Sequence, residues 1–145
     1  MPSPSFFHYV GRMALPTLQL IPRHMNSPID EIRNAGADDV LVAITFTPYS
    51  RDTIEACKYA QSKGMKLILN SDSDFVVPEL TPEVTLIAST LSTHYFGTLT
   101  GAMAVVESLI AILVARGGDD ARERINAYED LRNEIDAYWR PVKKQ

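Results

Sequence analysis

Apolar positions in this chain gather into short continuous runs, separated by amphipathic or polar stretches. The clearest run is Val40-Leu41-Val42-Ala43-Ile44-Thr45-Phe46. Met65-Lys66-Leu67-Ile68-Leu69 and Val84-Thr85-Leu86-Ile87-Ala88 repeat the pattern. Runs of this kind, apolar on both sides and alternating with helical periodicity, predict strands of a parallel sheet covered on both faces. Thr17-Leu18-Gln19-Leu20-Ile21 alternates instead, which predicts a further short strand. Four strands are expected.

Between the strands the period changes. Residues 5–15 predict an apolar helix stopped by Pro16. Residues 28–34 predict a short helix with Ser27 as N-cap, Pro28 at its first position and Gly36 beyond its end. Residues 51–63 are amphipathic, with Ile54, Cys57, Tyr59 and Ala60 toward one side and Gly64 as the closing C′ residue. Residues 72–82 read as a loop. A long apolar helix is predicted over 95–116, and Gly117-Gly118 separates it from a charged helix over 119–138. In that last helix Ile125, Tyr128, Leu131, Ile135 and Trp139 share one stripe, suited either to an interface or to the core.

Composition narrows the class. A chain of 145 residues with 46% hydrophobic and 22% charged residues is an ordinary globular domain with one core. The formal net charge of −4, with basic residues scattered apart from Lys143-Lys144, argues against direct nucleic-acid binding. The single cysteine, Cys57, has no partner for an internal disulfide and sits at a packing position of the 51–63 helix, which fits a reducing cytoplasm. Residues 95–115 are long enough to span a bilayer, with Glu107 as the sole charge. The polar Thr98, Thr100, Glu107 and Ser108 favour a helix buried in a core or a dimer interface over a membrane span. His8 and His24 have no carboxylate or cysteine at ligand spacing, so no metal site and no cofactor are expected.

Candidate chemistry lies where the 40–46 strand meets the next helix. Thr45, Thr47, Ser50 and Thr53 place hydroxyls around a turn at the carboxyl end of a strand, just before a helix N-terminus. Such a turn gathers O–H and N–H groups and suits a phosphate or another small anion. Ser50 alone would be explained by helix capping. The set of hydroxyls at this spacing points to a ligand. Ser89, Thr90 and Ser92 follow the third apolar strand and belong on the same carboxyl edge, either contacting a sugar or capping the next helix. Arg51 stands at the first turn as a phosphate contact or a solvated residue.

The block Ala43-Ile44-Thr45-Phe46-Thr47-Pro48-Tyr49-Ser50-Arg51-Asp52-Thr53 resembles the signature of the sugar isomerase (SIS) domain, a strand ending in S-x-S-G-x-T/S followed by a helix. Thr45, Thr47 and Ser50 keep the hydroxyl spacing. Gly64 to Ser73 resembles the family's G-x-k-x-I-x-x-T-D-S segment. Ser92-Thr93-His94-Tyr95-Phe96-Gly97 with Glu107-Ser108-Leu109 resembles the long helix of the RpiR-type bacterial transcriptional regulators. The motif glycine is replaced by Pro48, which marks that regulator branch and removes one backbone N–H. The resemblance implies an α/β fold, a flavodoxin-like three-layer α/β/α sandwich with a mostly parallel sheet. It covers the chain as one SIS domain over 1–145. It also implies that the domain's first strand and the helix-turn-helix before it are lacking. Loss of an internal strand would expose ladder edges, so rearrangement, help from a partner chain or low stability is expected.

By the same resemblance the ligand is a sugar phosphate, bound through Thr45, Thr47, Ser50, Thr53, Ser89 and Thr90. The protein is expected to be a cytoplasmic homo-oligomer, dimer or tetramer, which reaches DNA only through the lacking helix-turn-helix. A sensor is favoured over an enzyme. An aldose–ketose phosphosugar isomerase would need a general acid/base, and the weak candidates are His94, at the start of the long helix, and Glu107, within it. A vestigial oligomerisation domain is the third reading.

Overall fold

The computed structural model describes residues 2–23 and 26–139. His24 and Lys143-Lys144 lie outside the described residues. The elements run α1 (Pro2–Ala14), α2 (Pro28–Ile32), β1 (Val40–Ile44), α3 (Arg51–Ser62), β2 (Lys66–Ser71), β3 (Val84–Ile87) and α4 (Thr100–Glu134). Among the described residues the strands form one parallel sheet in the order β1-β2-β3. Val40 pairs with Lys66 and Ile44 with Asn70, while Ile68 pairs with Val84 and Ser71 with Ile87.

Strand alternation sorts the core onto two faces. Leu41 and Ala43 of β1, with Leu67 and Leu69 of β2, pack on one face against Ile54, Cys57 and Ala60 of α3 and Ile32 of α2. Val42 and Ile44 turn to the other face, where Phe7 and Val10 of α1 meet Val106 and Ile110 of α4. Helices therefore cover both faces, giving the three layers that two-sided apolar strands require. A third cluster closes the carboxyl end: Phe46, Ala88 and Ala102 join the ends of β1 and β3 to the first turn of α4.

Two expectations are corrected. Residues 17–21 form no strand, so the sheet has three strands rather than four. Leu18 still packs toward the α1/α4 face and Ile21 toward the α2/α3 face, so the alternation survives. What is missing is a hydrogen-bonded neighbour, without which an extended segment is not a strand. The long helix begins at Thr100, not at residue 95, because Ser92 and Thr98 hydroxyls accept the His94 and Thr100 amides and hold 92–99 in local turns. The glycine pair divides the long helix where the sequence places the break: the two helical arms of α4 meet at a kink at Gly118, which is non-helical at φ 59° and ψ −145°. A Cβ on Gly117 would fall 2.5 Å from that of Ala121, so the bend needs both glycines, one for its conformation and one for close approach. Beyond it the second arm returns to α1. Arg124 donates to the Ala14 carbonyl at 2.7 Å, at the cation-favouring C-terminus of α1, and Arg132 donates to the Tyr9 hydroxyl.

The sequence stripe on this arm is only partly used. Ile125 and Tyr128 are half-buried, whereas Leu131, Ile135 and Trp139 are exposed. The first arm of α4 is long and apolar enough to cross a membrane by length and composition, yet most of that stretch is not buried within the chain.

Candidate functional site

The site grows from the end of β1. The apolar run ends at Ile44, but the Thr45 amide still donates to the Asn70 carbonyl of β2 at 3.0 Å, carrying the pairing one residue into the turn. Thr45 is thereby buried, and Phe46 beneath it anchors the turn to Ala88 and Ala102. The chain leaves through a cis Thr47–Pro48 peptide and enters α3 at Arg51.

Ser50 occupies the N-cap position in extended conformation (φ −69°, ψ 126°), and its hydroxyl makes no cap hydrogen bond. Capping is thus not what Ser50 does here. The first-turn amides of α3 meet no side-chain acceptor from the cap, and these carry the favourable partial charge for an anion. Beside this turn lies a cavity of about 480 Å³. Thr45, Ser50 and Thr53 line it together, with Ser5 of α1 and the apolar flank of β1 completing the wall.

Thr47 has a different task. Its amide points at the Asp72 carboxylate, 3.3 and 3.2 Å from the two oxygens, and Tyr49 donates its hydroxyl to the same carboxylate at 3.1 Å. Partial burial pushes the Asp72 carboxyl up, but hydrogen bonding from the Thr47 side chain and amide, and then from Tyr49, outweighs it and leaves the group below its ordinary value. Asp72 thus holds the turn after β1, a contact that reading residues 72–82 as a loop missed, although Asp72 falls within the segment that resembles the family's T-D-S. Its signal was available in the position itself, an acid directly after an apolar strand, since such positions share the sheet's carboxyl edge. Because the Thr47 amide and the Tyr49 hydroxyl already hold one carboxylate, like-charge repulsion leaves an incoming anion the Ser50 and Thr53 side of the turn.

The remaining sequence candidates lie apart from the cavity lining. Ser89 and Thr90 follow β3 on the same carboxyl edge, with the Ser89 hydroxyl accepting the Leu91 amide and the Thr90 carbonyl accepting the Thr98 amide. His94 is an exposed loop residue six positions before α4 begins, which corrects its expected place at the helix start. Glu107 is on α4 but exposed. Arg51 is exposed at the first position of α3. Cys57 is fully buried, and burial pushes its thiol up to about 11, so it packs rather than reacts. Among the described residues no group of three His, Cys, Asp or Glu side chains gathers at metal-binding spacing.

No protein-family model matches the sequence, and no curated protein matches it either. Solved structures do. The sugar isomerase domain of an RpiR transcription factor from Sphaerobacter thermophilus superposes with a TM-score of 0.75 at 22% identity. The match covers 88% of this chain and 72% of that one. The chain therefore has the fold of a sugar isomerase domain.

Proposed function

We propose that this chain, over residues 1–145, is a non-catalytic, phosphosugar-binding SIS module of a cytoplasmic RpiR-type transcriptional regulator. The observation that carries the reading is the convergence of Thr45, Ser50 and Thr53 on one cavity at the N-terminus of α3. The phosphate would take the free Ser50 and Thr53 hydroxyls and the first-turn amides. Thr45 would fix the near side, and Thr47 would act through its amide by holding the turn on Asp72. Ser89 and Thr90, farther along the carboxyl edge, would meet the sugar rather than the phosphate.

A sensor fits better than an isomerase because neither acid/base candidate lines that cavity. His94 lies in an exposed loop and Glu107 on the exposed side of α4. Proton transfer between neighbouring carbons needs a base within hydrogen-bond reach of the substrate. Sensing would operate by population shift, the ligand favouring one arrangement of a homo-oligomer over another. Ile112 and Val114 on the first arm of α4, with Leu131 and Ile135 on the second, are the exposed apolar positions on which a second copy would pack.

The test is a proton and phosphorus NMR titration of the chain against a panel of sugar phosphates. Ligand signals that shift or broaden, with no new species over hours, are the expected result. Product peaks would replace the sensor with an isomerase. A Ser50→Ala, Thr53→Val variant that binds as well as the parent would remove the proposed site.

A further inference from the structure

Asn70, near the end of β2, bonds to two parts of the molecule that the chain keeps far apart. Its carbonyl accepts the Thr45 amide at 3.0 Å, where the β1–β2 pairing ends and the hydroxyl turn begins. Its side-chain Nδ2 donates to the Ala102 carbonyl, in the first turn of α4, at 3.5 Å. The same residue thus holds the site turn through its backbone and the long helix through its side chain.

The amide is costly where it stands. Asn70 is fully buried, with Ile44 and Leu86 as its cross-strand partners. Its Oδ1 is buried and has no hydrogen-bond partner among the described residues. Turning the amide over would not help, because Oδ1 would then face the Ala102 carbonyl, acceptor against acceptor, and Nδ2 would be the orphan. A buried acceptor left unpaired loses its hydration without replacement, and one long donation from the same amide returns little of it. A leucine has nearly the same shape and would pack between Ile44 and Leu86 without that cost. Stability therefore does not explain an amide at this position. What the amide supplies, and leucine cannot, is a directional tie between β2 and α4.

The neighbouring contacts leave that tie adjustable. Toward β3 the first turn of α4 is set by close packing: Ala102 clusters with Phe46 and Ala88. At Gly101 a Cβ would lie 3.4 Å from both the Ala88 Cβ and the Ser89 carbonyl oxygen. Close-packed contacts of this kind resist compression. Toward β2 the tie is the single long Asn70 bond, which a small rotation of α4 about its β3 contacts would shorten or break.

We propose that Asn70 is a positioning residue that couples occupancy of the hydroxyl turn to α4, an inference that rests on the phosphosugar reading. A sugar phosphate held by Thr45 and Ser50 orders the turn, fixes the Thr45–Asn70 rung and holds the Asn70 amide on the Ala102 carbonyl. Since α4 carries the exposed apolar positions Ile112 and Val114, the tie connects the ligand to the surface on which a second copy would pack. Coupling of this kind is reciprocal, so whatever fixes the first turn of α4 strengthens binding at the turn by the same factor.

The test uses the isotope-labelled full chain with inorganic phosphate and fructose 6-phosphate as probes. NMR reads three places: the backbone amides of 50–53, the Nδ2 proton pair of Asn70, and the backbone amides of 103–106 in α4. All three should shift together and saturate at one probe concentration. Exchange of the Val106 amide, whose helical acceptor is the Ala102 carbonyl, should slow at least about threefold. Asn70→Leu should melt no lower than the parent, keep the shifts at 50–53 and lose those at 103–106. Shifts at 50–53 that leave the Asn70 proton pair unmoved overturn the coupling and leave the phosphosugar reading standing. Absence of shifts at 50–53 with both probes overturns the two together. If Asn70→Leu still transmits the change to 103–106, the Phe46–Ala102 contact carries it and the assignment to Asn70 falls. A melting temperature well below the parent's would make the amide an anchor of the fold, and that too overturns the proposal.

Discussion

Two stretches of this protein look alike in sequence and behave differently in the fold: the turn after β1 and the loop after β3. Both follow an apolar strand and both are rich in hydroxyls. After β1, the chain is held from outside itself, by Asn70 through the Thr45 amide and by Asp72 through Thr47 and Tyr49. After β3, the hydroxyls of Ser89, Ser92 and Thr98 are spent on amides two residues away. The consequence is visible in the aromatic residues. Phe46 is 3% exposed, whereas Tyr95 and Phe96 stack edge to face with each other at 95% and 73% exposure. A turn tied down by tertiary contacts leaves its remaining hydroxyls free and fixed. A loop that satisfies itself locally spends them.

The comparison can be broken most forcefully at the two phenylalanines. Phe46→Ala empties the cluster joining β1, β3 and α4 and should cost about 3–5 kcal/mol in chemical denaturation. Next comes ligand affinity. Ser50→Ala with Thr53→Val should weaken sugar-phosphate binding at least about tenfold, the loss of two hydrogen bonds to a charged group. The matched pair Ser89→Ala with Thr90→Val should stay within about threefold, since the Ser89 hydroxyl is already used by the loop. Equal losses from both pairs, read by the same titration, would erase the distinction between the two stretches.

Asp72→Asn is a smaller effect on stability, about 1–2 kcal/mol, because it weakens charge-assisted hydrogen bonds at a solvent-accessible carboxylate. The sign of its pH dependence follows from its lowered value in the fold. A carboxyl held below its unfolded value stabilises the native state above roughly pH 4. That contribution is lost as pH falls through the folded value. Stability measured from pH 6 downward should therefore fall less steeply in Asp72→Asn than in the parent, and parallel curves would deny the carboxylate this role. At the bottom of the scale, Phe96→Ala should change stability by less than about 0.5 kcal/mol, as surface substitutions do. A loss comparable to that of Phe46→Ala would show that the β3 loop is pinned by contacts beyond its own.

Much of the fold was legible because its signals are local. The three paired strands follow from continuous apolar runs, α3 from its amphipathic spacing and from Gly64 at φ +78°, and the bend in α4 from its glycine pair. The first hydroxyl turn was legible for the same reason, since a strand, a turn and a helix start are consecutive in the chain. The start of α4 was not, because the hydroxyls of 92–99 satisfy backbone amides in turns as well as they would in a helix. The position of Asp72 after an apolar strand was legible, but its contacts were not, because its partners Thr47 and Tyr49 lie 25 and 23 residues away.

What the sequence by itself determined is which segments bury which sides, since side-chain periodicity is a property of the chain alone. Leu18 and Ile21 obey it even where no strand forms. Tertiary structure decided which extended segments become strands and which hydroxyls remain free. Both depend on a hydrogen-bonding partner from elsewhere in the molecule, and a single segment carries no information about whether that partner arrives.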